Sequence, residues 1–341
     1  MPMPACHGIK IQKKRPLDRH PPPAAGRRTQ DRPCGVRRRR REGLHAAVAL
    51  AIVGRNMKPV IEKMNREEAA LAVEWAAREG WNPGCSDAGI FYDTDPDGFF
   101  MARLGSTPVA VLSAVRYGDD FGFMGFYIAA PEHRNKGYGG LLALTGIKHL
   151  DGVPVGLDGV EAQQANYARH GFVMAHANVR YQGIGPGAAP AAAGCTGAEL
   201  RSIQPADLPG LFAYDRRHFP ADREAFLRAW IFQPGATAVL AHHDGAIVGY
   251  GVRRPCYHGH KIAPLFAASP DIAAALLHSL RSTVPAEEAF FIDVPQPNQA
   301  AVALAAASGM VPVFKTARMY RGPAPELPLS CLYGITSFEL G

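Results

Sequence analysis

Apolar and polar positions follow two different periods along residues 67–181, and the changes of period predict a mixed α/β fold. Apolar residues recur at helical spacing in three stretches: 67–78, 139–150 and 161–170. Strand-like apolar runs lie at four places: 108–117, 123–129, 153–157 and 173–181. Because strands and helices alternate after an initial meander, we expect a mixed central sheet flanked by helices.

The pattern occurs twice along the chain, with a shift of about 138 residues. Gly171 is followed by Arg180, and Gly309 is followed nine positions later by Arg318. Such self-similarity indicates two tandem copies of one fold. The uncharged Gly/Ala/Pro stretch between the copies predicts a linker. The expected organisation is therefore an extension, a first domain, a linker and a second domain: residues 1–56, 57–184, 185–197 and 198–341.

Composition supports a globular protein, and the charge distribution separates a basic tail from a slightly acidic body. The chain has 341 residues, of which 47% are hydrophobic and 20% are charged. Residues 1–58 hold 15 basic and 3 acidic side chains, a net charge of +12. The whole chain has a net charge of +7, so residues 59–341 carry −5. The body therefore has no global electrostatic reason to bind nucleic acid.

The tail itself, residues 1–56, combines Pro-Pro-Pro with a five-arginine block and lacks a periodic apolar pattern, so we expect it to be disordered. Three interpretations stay open: an export signal, a nucleic-acid-binding arm, or a non-structural extension upstream of an initiator at Met57.

No apolar run approaches the 18 residues that a membrane helix needs, which argues against an integral membrane protein. Six scattered cysteines without a C-x-x-C pair favour a reducing cytoplasm and suggest no metal site.

The most informative segment is a strand, a glycine-rich basic turn and a helix within residues 126–150. Glycines at 137, 139 and 140 permit a tight turn whose backbone N–H groups face an anion at the helix N-terminus. Arg134 and Lys136 add positive charge at the rim. The Walker pattern is absent, and Leu142 occupies the third glycine of a Rossmann fingerprint. A phosphate or pyrophosphate is the expected guest.

The spacing R-x-x-G-x-G at Arg134, Gly137 and Gly139 resembles the coenzyme A loop of the GCN5-related N-acetyltransferase (GNAT) superfamily. The segment from Tyr167 to Phe172 is similar to the family's Y-x-x-x-G-F motif. The resemblance implies acetyl-CoA as the acetyl donor. It also implies a set of cofactor-binding residues in the strand and the loop: Tyr127, Ile128, Ala129, Arg134, Asn135, Lys136, Gly137, Tyr138, Gly139 and Gly140.

The D-P-D-G-F-F segment at residues 95–100 and the terminal L-Y-G-I-T-S-F-E-L-G look like a tandem subgroup, the YitH-like acetyltransferases. This resemblance covers about residues 57–341 and implies a second, degenerate GNAT-like domain. The corresponding turn of the second copy, residues 263–276, contains no glycine, arginine or lysine, and Ala305 stands where Tyr167 is expected. We therefore expect the second copy not to bind acetyl-CoA, and to dimerise, stabilise or wall the acceptor cleft.

The resemblance implies transfer of an acetyl group to a primary amine of a small molecule or amino acid by direct attack. Tyr167 is the candidate general acid, although its hydroxyl could instead only hydrogen-bond the sulfur or the helix. A backbone N–H at Ile128–Ala129 is expected to polarise the carbonyl. Asp158 is the candidate general base, with a water-relayed base as the alternative; other polar residues near the predicted strands are Asp119, Asp120, Glu161 and His176.

Features of the sequence also favour two functions other than the transferase. A non-catalytic acyl-CoA sensor is favoured by the missing carboxylate on the central strand, and an RNA-associated modifier by the arginine-rich tail. Asp93 opens a calcium-like D-x-D-x-D-G sequence, but Leu104 stands where the loop needs glutamate, so no metal is expected. The expected partner is a small-molecule amine, and the expected state is a monomer or homodimer.

Overall fold

The computed structural model describes residues 58–186 and 197–341. The predicted extension at residues 1–56 and most of the predicted linker lie outside the described residues. The chain from Val60 to Gly341 packs as one unit.

Six strands come from the first half of the chain: β1 Val60–Lys63, β2 Phe99–Leu104, β3 Thr107–Tyr117, β4 Phe121–Ala129, β5 Val155–Val160 and β6 Val173–Ile184. Seven strands come from the second half: β7 Glu199–Ser202, β8 Thr237–His243, β9 Ala246–Pro255, β10 His260–Ala267, β11 Ala289–Pro295, β12 Val311–Arg321 and β13 Leu332–Gly334. All of them belong to one mixed sheet, which confirms the predicted fold class.

The helices of the first half are α1 Arg66–Arg78, α2 Asp87–Thr94, α3 Tyr138–His149 and α4 Gln164–Arg169. Those of the second half are α5 Leu208–Asp215, α6 Glu224–Ile231, α7 Pro270–Arg281 and α8 Gln299–Ala307. Short 3₁₀ turns lie at Pro131–His133, Glu161–Gln163, Pro205–Asp207 and Leu329–Cys331.

Local sequence explains where α1 begins. Asn65 caps the helix by accepting the backbone N–H of Glu68 at 2.9 Å, and the Glu68 carboxylate accepts the N–H of Asn65 at 2.9 Å. Buried side chains then recur on one face at Ala69, Ala72 and Ala76. This arrangement matches the helix that the periodicity predicts at residues 67–78. The sequence patterns did not predict β1, α2 or β2.

The final strands of the two halves are exchanged in the sheet. Its order is β1-β2-β3-β4-β5-β12-β6-β11-β10-β9-β8-β7, and β13 pairs with β10. Thus β12, the last long strand of the second half, pairs with β5 of the first half. Conversely, β6 lies between β12 and β11 of the second half. The two halves therefore complete each other's sheet.

The helices cover the sheet in an arrangement that places a shared core on one face. On this face α1, α2, α5 and α6 pack in one apolar cluster, where the Phe91 and Trp230 rings stack at 5.8 Å. The opposite face carries α3 over the first half and α7 with α8 over the second half. Successive residues of β3 show the alternation, since Val111 belongs to the shared core and Leu112 to the α3 side.

Buried ion pairs lie in the middle of the molecule. Arg180 of β6 donates to both carboxylate oxygens of Asp293 on β11, at 2.6 and 2.8 Å. Arg254 of β9 contacts Asp87 of α2 at 2.9 Å. All four side chains are 3% exposed or less. These pairs hold the exchanged strand β6, and the helix α2, against the second half.

Candidate active site

The sheet opens between β4 and β5, the two strands that precede and follow the glycine-rich loop and α3. Their parallel pairing ends at Met124 opposite Leu157. At the same level the β3–β4 register shifts, and Phe126 adopts φ +47°, a conformation that a bulky side chain rarely takes. The opening thus starts at Gly125, three residues before Ile128, and includes the Ile128–Ala129 segment for which a polarising N–H was predicted.

The opening contains a pocket that reaches both faces of the sheet. Residues on the α3 side are Leu112, Met124, Tyr127, Leu157 and Tyr167, and residues on the shared-core side include Trp81 and Phe126. The lining is completed by Gly125, Asp158, Val160, Phe314, Thr316 and Phe338. A molecule bound over α3 could therefore present a reactive group through the sheet to a second molecule on the other face.

The loop after β4 gives α3 an unblocked N-terminus. Asn135 and Gly137 take left-handed conformations, with φ of +61° and +83°, and Gly137 caps the helix without a side-chain hydrogen bond. The first turn contains no acidic residue. Its backbone N–H groups are therefore available to an anion, while the binding of one stays a prediction. A Cβ on Gly139 would fall 2.5 Å from the Tyr127 hydroxyl, so any other residue here would force the Tyr127 side chain to move.

The charged residues of the loop lie at its rim. Arg134 donates from Nε to the carbonyl of Ala129 at 3.2 Å, and its Nη2 also bonds the Glu79 carboxylate at the end of α1. Lys136 is exposed. Tyr138 and Gly140 are half-buried in the first turn of α3. The structure thus brings the predicted loop residues together beside the opening, while their binding of coenzyme A stays a prediction.

Tyr167 projects from α4 into the opening. Its ring lies 5.8 Å from the Tyr127 ring and 6.3 Å from the Phe172 ring, edge to face in both cases. None of the described residues hydrogen-bonds its hydroxyl, whereas Asn166 donates to the Tyr127 hydroxyl at 3.3 Å. Burial raises the pKa of Tyr167 well above its usual value. The phenol therefore stays protonated, as a proton donor must, while its raised pKa also makes it a weaker acid toward a departing thiolate.

Asp158 lines the pocket, but its carboxylate is already engaged. Arg318 of β12 donates to Oδ2 at 2.7 and 3.1 Å, Asn178 of β6 donates to Oδ1 at 2.7 Å, and Thr316 lies 3.4 Å from Oδ1. Burial raises the pKa of Asp158, and the Arg318 guanidinium opposes this shift. This geometry holds the exchanged strands against β5. A role as general base stays a prediction, since a proton would have to displace one of these bonds.

Four residues that the second half supplies to the site were not predicted from the sequence: Phe314, Thr316, Arg318 and Phe338. A signal existed in the repeat, because Arg180 and Arg318 are its matched arginines. Each lies directly opposite an aspartate in the neighbouring strand, Asp293 and Asp158 respectively. The repeat showed that these positions correspond, but it did not show that each arginine crosses to the other half.

His176, directly opposite Arg318 in the β6–β12 pairing, leads to a prediction about acid stability. Burial, reinforced by Arg318, lowers its pKa from 6.5 to about 4. Between these values the unfolded chain binds the proton that the folded protein excludes, so stability falls as the pH drops. We expect His176→Asn to lose less stability than the wild type between pH 6.5 and 4. Thermal unfolding across this range measures the difference, and identical slopes for the two proteins would contradict it.

At the corresponding place in the second half, the gap between β10 and β11 is filled by β13. Parallel pairing of β10 and β11 ends at Lys261 opposite Phe291, and β13 then occupies the space by pairing with β10. The N–H of Ile335, just after β13, donates to the Asp293 carbonyl at 2.9 Å. The N-terminus of α7 is capped by Ser269. This half therefore lacks both the open sheet and the free helix end of the first half.

Asp95 has a structural role in the acidic turn at residues 93–98. The Asp95 carboxylate accepts the backbone N–H groups of Asp97 and Arg116 and contacts His149 at 3.2 Å, so it fixes the turn before β2.

In the parts of the chain that the structure describes, no three His, Cys, Asp or Glu side chains are grouped to hold a metal. Within residues 58–186 and 197–341, no helix is long and apolar enough to cross a membrane.

Comparisons with known proteins agree with this geometry. Residues 66–174 match a model described as the acetyltransferase (GNAT) family, and residues 211–334 match one described as an acetyltransferase (GNAT) domain. Holothin acyltransferase of Pseudoalteromonas sp. (strain SANK 73390) is 31% identical over 276 residues, covering 81% of this chain and 92% of that protein. The chain belongs to the GNAT family of acyltransferases. The resemblance drawn from R-x-x-G-x-G is therefore confirmed.

Solved structures show the same fold for this GNAT chain. A putative acetyltransferase from Pyrococcus horikoshii aligns with a TM-score of 0.69 at 21% identity, covering 83% of this chain and 96% of that one. The tandem GNAT protein from the clavulanic acid biosynthesis pathway aligns with a TM-score of 0.55 at 14% identity, covering 79% of this chain and all of that one. The tandem arrangement expected from the repeat is thereby confirmed.

Proposed function

We propose that this GNAT acyltransferase uses acetyl-CoA to acetylate a primary amine of a small molecule by direct attack. The observation that carries the proposal is the juxtaposition of the unblocked α3 N-terminus with the sheet opening at Gly125. An anion held by the helix would place the rest of a coenzyme A molecule alongside β4. The name of the related holothin acyltransferase supports acyl transfer as the reaction class.

The donor would bind on the α3 side of the sheet. The pyrophosphate would be held by the first-turn N–H groups of α3 and by Lys136, with Arg134 at the rim once it exchanges its bond to Glu79. Residues 127–129 would follow the pantetheine arm. The thioester would then reach the opening, where the irregular backbone at Phe126 leaves β4 unpaired with β5.

The chemistry requires one bond to form and one to break. The amine nitrogen attacks the thioester carbonyl carbon, and the carbon–sulfur bond breaks as the tetrahedral intermediate collapses. Tyr167 would donate its phenolic proton to the departing thiolate. The proton lost by the amine nitrogen would restore the phenol through water, which balances the reaction.

A calorimetric titration of acetyl-CoA into the full-length protein tests the donor site and the silence of the second half. We expect one site per chain because, among the described residues, an open helix end beside an open sheet occurs only in the first half. Gly139→Trp should weaken binding at least tenfold, since its side chain would collide with Tyr127 and cover the first turn. Leu144→Trp, on an exposed face of the same helix, is the matched control and should bind normally.

The titration has two contrary outcomes. Two sites per chain would mean that the second half binds the donor despite β13 and the Ser269 cap. No binding by the wild type would reject the acetyl-CoA proposal altogether.

A further inference from the structure

Aromatic rings dominate the side of the opening away from α3, and part of that wall comes from the second half. Trp81 and Phe126 belong to the first half, whereas Phe314 and Phe338 belong to the second. The Phe314 and Phe338 ring centroids lie 6.0 Å apart. Rings so arranged favour a flat apolar molecule, which can stack against their faces and edges.

Phe338 lies in a closing segment, residues 335–341, that is held firmly in place. The hydroxyl of Tyr117 donates to the Leu340 carbonyl at 3.0 Å. The Arg180 guanidinium lies over the Phe338 ring, 4.8 Å from its centroid. The wall is therefore formed before a ligand arrives and loses little conformational entropy on binding.

The charged side chain that lines this wall is already paired. Glu339, which follows Phe338, has no hydrogen-bond partner among the described residues at either carboxylate oxygen, but it is buried and does not line the opening. Asp158 is the only charged side chain among the described residues that line the opening. It is bound to Arg318 at 2.7 Å, and the nearby Arg180 is bound to Asp293 at 2.6 Å. The wall thus presents no free cation for an acceptor carboxylate and no free anion for a second ammonium group.

The pairing of Asp158 leaves no free general base among the described residues that line the opening. An alkyl amine is protonated at neutral pH and must lose a proton before it can attack. Both Asp158 oxygens accept hydrogen bonds from Arg318 or Asn178, and His176 does not line the opening. By contrast, an amine conjugated to an aromatic ring is unprotonated at neutral pH and requires no base for activation.

We infer that the acceptor is a flat, weakly basic aromatic or heteroaromatic amine without a carboxylate, seated against Phe314 and Phe338. This inference rests on the proposed acetyl transfer and narrows its acceptor. It excludes free amino acids, which the family resemblance allows as acceptors, because their carboxylate would be desolvated without a partner.

Two isomeric amines test the inference on the unaltered full-length protein. Para-toluidine and benzylamine have the same molecular formula. The amino group of para-toluidine is attached directly to the ring and is weakly basic, whereas that of benzylamine is an alkyl amine and strongly basic. We expect kcat/KM for para-toluidine to be at least tenfold higher at pH 7 and nearly constant from pH 6.5 to 8.5. Benzylamine should gain about tenfold per pH unit, following its unprotonated fraction.

Variants test the wall. Phe338→Ala should raise KM for para-toluidine at least tenfold while the calorimetric affinity for acetyl-CoA stays unchanged. The control Phe232→Ala replaces an exposed phenylalanine outside the opening and should leave both values unchanged. A charged analogue, para-aminobenzoate, should react at least tenfold more slowly than para-toluidine, because no free cation faces its carboxylate.

Failure of the acceptor class and failure of the proposed function give different results. Acetyl-CoA that does not bind would reject the proposed function itself. If acetyl-CoA binds but benzylamine or phenylalanine reacts faster than para-toluidine at pH 7, only the inference of a weakly basic acceptor is overturned. Binding without acetylation of para-toluidine would overturn the acceptor class as well.

Discussion

Replacing Tyr167 with phenylalanine is expected to lower kcat by about 10²- to 10³-fold while the affinity for acetyl-CoA changes little. The substitution removes one hydroxyl and keeps the ring, whose edge-to-face contacts with Tyr127 and Phe172 position α4. Because no described residue hydrogen-bonds this hydroxyl, its removal leaves no orphaned partner in the free protein. Steady-state kinetics with saturating acetyl-CoA, paired with calorimetry, measures both quantities.

The control for this prediction is Tyr127→Phe, which removes the neighbouring hydroxyl and its 3.3 Å bond from Asn166. We expect a much smaller fall in kcat, because Tyr127 is assigned to donor binding. Unchanged kcat in Tyr167→Phe would limit Tyr167 to a packing role. If the wild type binds acetyl-CoA but acetylates no amine, the non-catalytic acyl-CoA sensor becomes the better explanation.

Replacing Asp293 with alanine is expected to destabilise the protein by about 3–5 kcal/mol, the usual cost of leaving a buried charge unpaired. Asp293 is fully buried and accepts two bonds from Arg180. Burial raises the pKa of Asp293, but Arg180, with Lys261 and Arg254, more than offsets burial, so the net shift is downward and the aspartate is ionised. Urea unfolding of the variant and wild type measures the loss.

Two further variants separate the buried pair from a general effect of charge removal. The double variant Arg180→Met with Asp293→Leu removes both charges and should recover much of the lost stability. Asp119→Ala breaks an exposed pair with Arg116 and should change stability by less than about 1 kcal/mol. Equal losses for Asp293→Ala and Asp119→Ala would contradict the importance of the buried pair.

The sequence predicted those elements whose signals are local. The helix predicted at residues 139–150 is Tyr138–His149, and the strand predicted at 108–117 is Thr107–Tyr117. Long periodic runs with capping or glycine signals define such elements. Short elements escaped because few of their residues repeat, as in the four-residue β1 and the eight-residue α2.

The same distinction applies to the candidate site. The loop from Arg134 to Gly140 could be predicted because its turn, its charges and its helix are contiguous. The engagement of Asp158 by Arg318 could not, because 160 residues separate them along the chain. The strand exchange was also hidden, since β6 and β12 have similar patterns and either would satisfy the edge of β5.

The exchanged strands also determine when the protein can fold during its synthesis. β5 ends at Val160, but its neighbour β12 ends only at Arg321, about 160 residues later. At a typical elongation rate, β5 waits about 8 to 32 s for its native partner, and meanwhile its edge can pair with β6 or with other nascent chains. The first half is therefore translated before its part of the sheet can be completed. Conditions that slow the ribosome should increase aggregation of this protein.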